Sequence, residues 1–188
     1  MVDNLLKKDN QYLLNVYNRL DIEIVKGEGS YLYDKQGKKY LDMFSGIAVN
    51  NFGINNREIN KRITNQIGDY IHISNYFASE PVVNLAGLLV NNSFASKVFF
   101  ANSGSEVNEA ALKLARLYGK THKNDKTEIL AANNAFHGRT SGSLSLTRRK
   151  KYRDQFSPLL PGIKHFAFND PDDLEDKTSD KTCAVFLE

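Results

Sequence analysis

Asn102-Ser-Gly-Ser-Glu-Val-Asn-Glu-Ala-Ala-Leu-Lys-Leu-Ala-Arg116 is the stretch from which the rest of the chain can be read. It follows Lys97-Val-Phe-Phe-Ala101, a β-branched and aromatic run that reads as a buried strand. Val107, Ala110, Ala111, Leu114, Ala115 and Tyr118 then recur at helical spacing, so strand is expected to give way to an amphipathic helix. Ser103 and Glu106 form the pattern of a capping box, and Gly119 reads as the helix end. Gly104 costs helix propensity in the first turn, but it removes a side chain that would keep a ligand from the backbone. Such a helix start presents free N–H groups and the positive end of a dipole, which suits a phosphate. Taken alone, the pattern fits a plainly capped helix equally well. It has neither Walker spacing nor G-x-G-x-x-G, so nucleotide binding has no motif behind it.

The whole chain sets bounds on that reading. It has 188 residues, 41% hydrophobic and 25% charged, as is ordinary for a globular chain of one large domain or one domain with an appendage, and the α/β class rests on the strand pattern below. A net charge of +3 is too small to argue for nucleic acid. No apolar run is long enough for a membrane span, and residues 1–11 lack a signal-peptide core. Cys183 is the one cysteine, so no internal disulfide can form; a cytoplasmic setting is expected. The histidines have no metal-ligand spacing, and no metal is expected.

In chain order, Gly27 and Gly29 punctuate two short strands, Ser30–Tyr33 and Lys39–Leu41, around a turn at Asp34-Lys-Gln-Gly37. Residues 1–56 therefore read as an N-terminal segment with a small antiparallel sheet, and 57–188 as a larger domain. Helices are expected at 57–70, with Ile59, Ile63, Ile67 and Tyr70 on one side, and from after Ser79 to about Val90, with Pro81 in its first turn. Strands follow at Thr127–Ala132, Ile163–Phe168 and Cys183–Leu187. With Val98–Ala101 these make four strands joined by crossover-length connections, hence a largely parallel sheet covered by helices. Arg148-Arg-Lys-Lys-Tyr-Arg153 reads as a solvated, partly helical face.

A second cluster, Ala135-Phe-His-Gly-Arg-Thr140, lies just beyond the carboxyl end of the 127–132 strand, where open α/β sheets collect ligands. Phe136 offers a flat apolar face, Arg139 a planar fork for a carboxylate, and Gly138 room for close backbone approach. A loop with a core phenylalanine and a surface arginine would show the same residues.

The two clusters together resemble class III pyridoxal-phosphate aminotransferases, especially the acetylornithine and ornithine branch, over about Leu13 to Glu188. Tyr40-Leu-Asp-Met-Phe-Ser-Gly-Ile-Ala-Val49 is similar to the family too. Gly53-Ile-Asn-Asn-Arg57 departs from its Gly-His-x-His-Pro and lacks both imidazoles and the proline. The resemblance implies the amino-terminal part of a fold-type I transferase. It implies that Gly104 and Ser105 hold the phosphate of pyridoxal 5'-phosphate, that Phe136 stacks on its ring, and that Arg139 binds the substrate α-carboxylate. Tyr17 matches a tyrosine near the substrate, and His72-Ile-Ser-Asn-Tyr76 a segment at a homodimer contact.

The implied reaction moves the δ-amino group of N-acetylornithine to 2-oxoglutarate, in arginine biosynthesis. Ornithine, succinylornithine and 4-aminobutyrate are alternative amino donors. The family's catalytic lysine and its ring-nitrogen aspartate have no counterpart in these residues. The chain is thus expected to be the first half of such an enzyme, inactive by itself; a non-catalytic oligomerising or ligand-binding module is the alternative of another kind.

Overall fold

The computed structural model describes residues 5–188, which group into two compact units with the division at Glu80/Pro81. The sequence reading draws its domain limit earlier, at 56/57.

The first unit opens with helix α1 (Leu5–Tyr12) and an antiparallel meander of β1 (Ile24–Glu28), β2 (Tyr31–Asp34) and β3 (Lys39–Leu41). Asp34 organises the β2–β3 turn. Its carboxylate accepts the backbone N–H of Gln36 at 2.9 Å and of Lys38 at 2.8 Å, and the Tyr40 hydroxyl at 2.7 Å. Gly37 completes the turn at φ 82°. A single turn, α2 (Ser45–Ala48), leads to the segment Gly53-Ile-Asn-Asn-Arg57. There Gly29 and Ile54 exchange backbone hydrogen bonds, and Asn56 caps α3 (Arg57–Asp69) by accepting from Glu58 and Ile59.

Helix α4 (Glu80–Asn91) begins at the unit boundary. The second unit is built on a parallel sheet ordered β5 (Ile163–Phe166), β4 (Glu128–Ala132), β6 (Thr182–Phe186). Central β4 is inaccessible to solvent along Ile129–Ala132. Its period-two alternation divides the core. Ile129 and Ala131 pack with Leu112 of α5 (Gly104–His122) and Leu146 of α6 (Ser141–Leu146). Leu130 and Ala132 pack with Ala135 and Phe166, flanked by Leu174 of α8 (Pro171–Lys177). The short helix α7 (Lys150–Arg153) lies between α6 and β5 in the chain.

Several expectations change here. Residues 97–101 are not a strand: among the described residues nothing pairs with them, and a strand exists only through its ladder. The parallel sheet therefore has three strands. Gly119 does not end α5, which continues to His122. Its missing side chain instead admits the next segment: a Cβ there would lie 2.0 Å from the Lys126 carbonyl oxygen and 2.8 Å from Cys183 Cβ. Residues 167–168 leave β5, because the chain turns at Asn169 (φ 60°) and Asp170 caps α8 with Pro171 in its first turn. The basic run is not uniformly solvated either. The Arg153 side chain is largely buried, and burial, with Arg148 adding to it, lowers the pKa of its guanidinium.

Glu109 locks α6 to α5. Thr140, the N-cap residue of α6, makes no side-chain cap of its own. Glu109 supplies the acceptor from the neighbouring helix, taking the Thr140 hydroxyl at 2.6 Å, Gly142 N–H at 2.8 Å and Ser143 N–H at 3.2 Å. Burial opposes its ionisation, but those donors and Lys113 outweigh it and hold the carboxyl below its ordinary 4.5. The stabilisation is therefore present above the unfolded-state value and is lost as pH falls through the depressed folded one. Glu109→Ala, which leaves these donors without their acceptor, is expected to cost about 1–3 kcal/mol at neutral pH. Urea unfolding at pH 7 and pH 3.5 checks both points: the gap between wild type and variant should shrink in acid.

Candidate active site

The site is assembled where the start of α5 meets the loop that leaves β4. At the start of α5, Ser103 accepts the Glu106 N–H at 3.3 Å, while the Glu106 carboxylate reaches back to the Asn102 N–H at 2.6 Å. The capping pair is formed, with its return bond one residue earlier than a simple capping box. The N–H groups of Gly104 and Ser105 lie in the first turn and have no intrahelical carbonyl to meet. A Cβ at Gly104 would touch no heavy atom within 4 Å among the described residues.

The loop 133–140 is fixed residue by residue. His137 N–H donates to the buried Thr147 hydroxyl at 3.0 Å, and the His137 carbonyl accepts the Asn108 amide at 2.9 Å. The same Asn108 amide reaches Gly104 O at 3.1 Å, so one side chain ties both motifs together. Arg139 N–H donates to Ser105 Oγ at 3.4 Å, which leaves the Ser105 hydroxyl proton available to a ligand. Gly138 stands at φ 125°, and a Cβ there would lie 2.2 Å from Ser105 Oγ. The close approach that requires this glycine is therefore made by Ser105, a residue of the protein itself, rather than by a ligand. Phe136 N–H donates to the Glu188 carboxylate.

Four of the five expected site residues thus come together: Gly104, Ser105, Phe136 and Arg139. Phe136 and Arg139 are solvent-facing beside a cleft of roughly 240 Å³ that Arg139 lines with Ser141, Leu144 and Tyr152. Tyr17 lies in the other unit, 66% exposed, near the Arg19–Asp9 ion pair. His72 also lies in that unit.

The sequence reading assigned no role to Asn108, Glu109, Thr147 or Tyr152. Asn108 and Glu109 carry a local signal, since each is a polar residue beside the apolar stripe of α5, but their partners lie 29 to 34 residues away. His137 is buried and its Nε2 has no hydrogen-bond partner. Burial lowers its pKa, against the opposing pull of Glu188. Among the described residues no group of His, Cys, Asp or Glu is placed to hold a metal ion, and no helix is long and apolar enough to cross a membrane.

The family described as aminotransferase class III matches residues 13–188. An acetylornithine aminotransferase of Clostridium acetobutylicum is 47% identical over 178 residues, covering 94% of this chain and 46% of that protein. A succinylornithine transaminase of Yersinia pseudotuberculosis is 42% identical, covering 95% of the chain and 45% of its own length. The solved ornithine aminotransferase of Toxoplasma gondii shares the fold at a TM-score of 0.91 and 24% identity, over 97% of this chain and 44% of that one. The chain spans just under half the length of these relatives, and it belongs to the class III aminotransferase family.

Proposed function

We propose that the complete polypeptide is a pyridoxal-phosphate-dependent aminotransferase that takes the δ-amino group of N-acetylornithine and passes it to 2-oxoglutarate. The observation that carries this reading is the convergence of Gly104, Ser105, Phe136 and Arg139, tied by the Asn108 amide and by the Arg139 N–H on Ser105 Oγ. The 47% identity to an acetylornithine aminotransferase supports the choice of donor.

The residues present fit the cofactor. The first-turn N–H groups of Gly104 and Ser105, and the Ser105 hydroxyl, would hold its phosphate against the positive end of α5. The uncrowded Cβ position at Gly104 suits that anion. Phe136 would lie against its ring, and Arg139 would grip the substrate carboxylate through two parallel N–H bonds. Bound there, pyridoxal phosphate supplies an electron sink that acidifies the carbon bearing the transferred amine. Tyr17 is assigned to the substrate side.

In the complete protein a homodimer is expected, with His72–Phe77 at its contact. Ile71, Tyr76 and Phe77 are 81%, 94% and 69% exposed in the chain, which suits a surface that another subunit covers. Sedimentation of the complete polypeptide at micromolar concentration should show a dimer, and a monomer would refute the assignment.

Arg139→Lys keeps the charge but loses the fork. In the complete enzyme it should raise KM for N-acetylornithine roughly tenfold or more, with a smaller effect on cofactor retention. Steady-state kinetics decide this, and an unchanged KM removes Arg139 from the carboxylate.

Residues 1–188 alone are expected not to transaminate. A helix N-terminus contributes about 0.3–2 kcal/mol to anion binding, and ring stacking about 0.5–1.5 kcal/mol. The cost of immobilising the ligand consumes most of that. Borohydride treatment with pyridoxal phosphate, followed by peptide mapping, should give scattered lysine labelling without glutamate formation. A single labelled lysine together with turnover would refute it.

A further inference from the structure

We infer that Tyr152 is a positioning residue that holds the substrate-binding guanidinium and the ring-facing phenylalanine in one frame. The inference rests on the roles proposed above for Arg139 and Phe136. Tyr152 stands in Arg148-Arg-Lys-Lys-Tyr-Arg153, where five of six residues are cations. A segment of that charge beside Arg139 should repel it, yet the group it turns toward Arg139 is its one aromatic ring. The Arg139 Cζ lies 4.4 Å from the Tyr152 ring centroid, within range of a cation–π contact. The same ring meets Phe136 edge to face, with centroids 6.4 Å apart and planes at 79°.

Tyr152 is itself anchored through Arg149. Its N–H donates to the Arg149 carbonyl at 2.9 Å, and Arg149 Nε donates to the Asn134 carbonyl at 3.0 Å. The helix that carries Tyr152 is thereby tied to the loop that carries Phe136 and Arg139. Leu144 and Phe156 line the same cleft and close its apolar side. An arginine on an exposed loop samples many rotamers, and a face-on aromatic platform limits them without occupying the N–H groups that a carboxylate needs. The platform therefore acts on substrate recognition through Arg139 and on cofactor seating through Phe136.

The test uses the complete enzyme with N-acetylornithine as donor, and a double-mutant cycle between positions 139 and 152. Tyr152→Leu and Tyr152→Met both remove the π face, and the longer, more flexible Met can refill the cleft should Leu compromise folding. Each should raise KM roughly three- to tenfold, with a smaller change in kcat, and should speed loss of bound pyridoxal phosphate seen by its absorbance. Tyr152→Phe keeps both ring contacts and should stay within about twofold of wild type. In an Arg139→Gln background, which has no cation to place, the KM effect of Tyr152→Met should vanish. An unchanged KM in the Leu and Met variants, or a full additive loss in the Arg139→Gln background, overturns the inference. If Arg139→Gln itself leaves KM unchanged, it is the proposed function that fails, so the two failures are distinct.

Discussion

One carboxylate carries much of the local architecture. Glu109 takes three donors from the beginning of α6, a helix whose residues Gly142–Leu146 are all buried and whose own N-cap side chain does not cap it. A buried helix start without acceptors costs more than it returns. Glu109 satisfies it from α5, and in doing so fixes where the chain must be at Thr140. The preceding residues Phe136 to Arg139 have little freedom left between that point and the end of β4. The helix whose N-terminus faces the proposed phosphate is also the helix that supplies this acceptor, so the cradle and the ring-facing loop share one support.

The buried strand sets the other limit. Because β4 has neighbours on both edges and packing on both faces, it cannot shift register without moving Ile129 and Ala131 into the place of Leu130 and Ala132. The loop therefore leaves the sheet at one height. Buried hydroxyls of Ser143 and Thr147 then stitch it down, Ser143 meeting the Thr140 hydroxyl at 2.7 Å and Thr147 accepting the His137 N–H, while Ser145 accepts the Leu160 N–H of the next connection at 2.9 Å. Small polar residues suit this position because their hydroxyls reach nearby backbone without demanding volume in the core.

What the sequence disclosed follows the reach of each interaction. The start of α5, the turn at Gly37, the span of α3 and the spans of β3 and β4 rest on neighbours a few residues apart, and they could be read to within a residue. The missing strand at 97–101 could not, because its composition is strand-like while its existence depends on a ladder partner elsewhere. Gly119 misled for a related reason: near the end of a helical pattern a glycine suggests termination, but here Lys126 and Cys183 require it. Phe136 and Arg139 could be named from their motif, whereas Asn108, Glu109 and Tyr152 act across contacts that local pattern does not encode. The apolar stripe of α5 was legible too, although Val107, Leu114 and Tyr118 are 45%, 67% and 50% exposed in the chain.

Two glycines in the site separate what the fold needs from what a ligand would need. Gly138 is demanded by the protein, since its positive φ and the Ser105 side chain leave no room for a Cβ. No such demand exists at Gly104. It is the first residue of α5, and among the described residues nothing lies within 4 Å of a Cβ placed there. Among the described residues no packing contact calls for a glycine at this position. The phosphate proposed for the first-turn N–H groups would suit a glycine there, because a helix start without a side chain lets an anion approach the backbone. The fold therefore accounts for Gly138 by itself, whereas Gly104 fits the phosphate seat proposed at the start of α5.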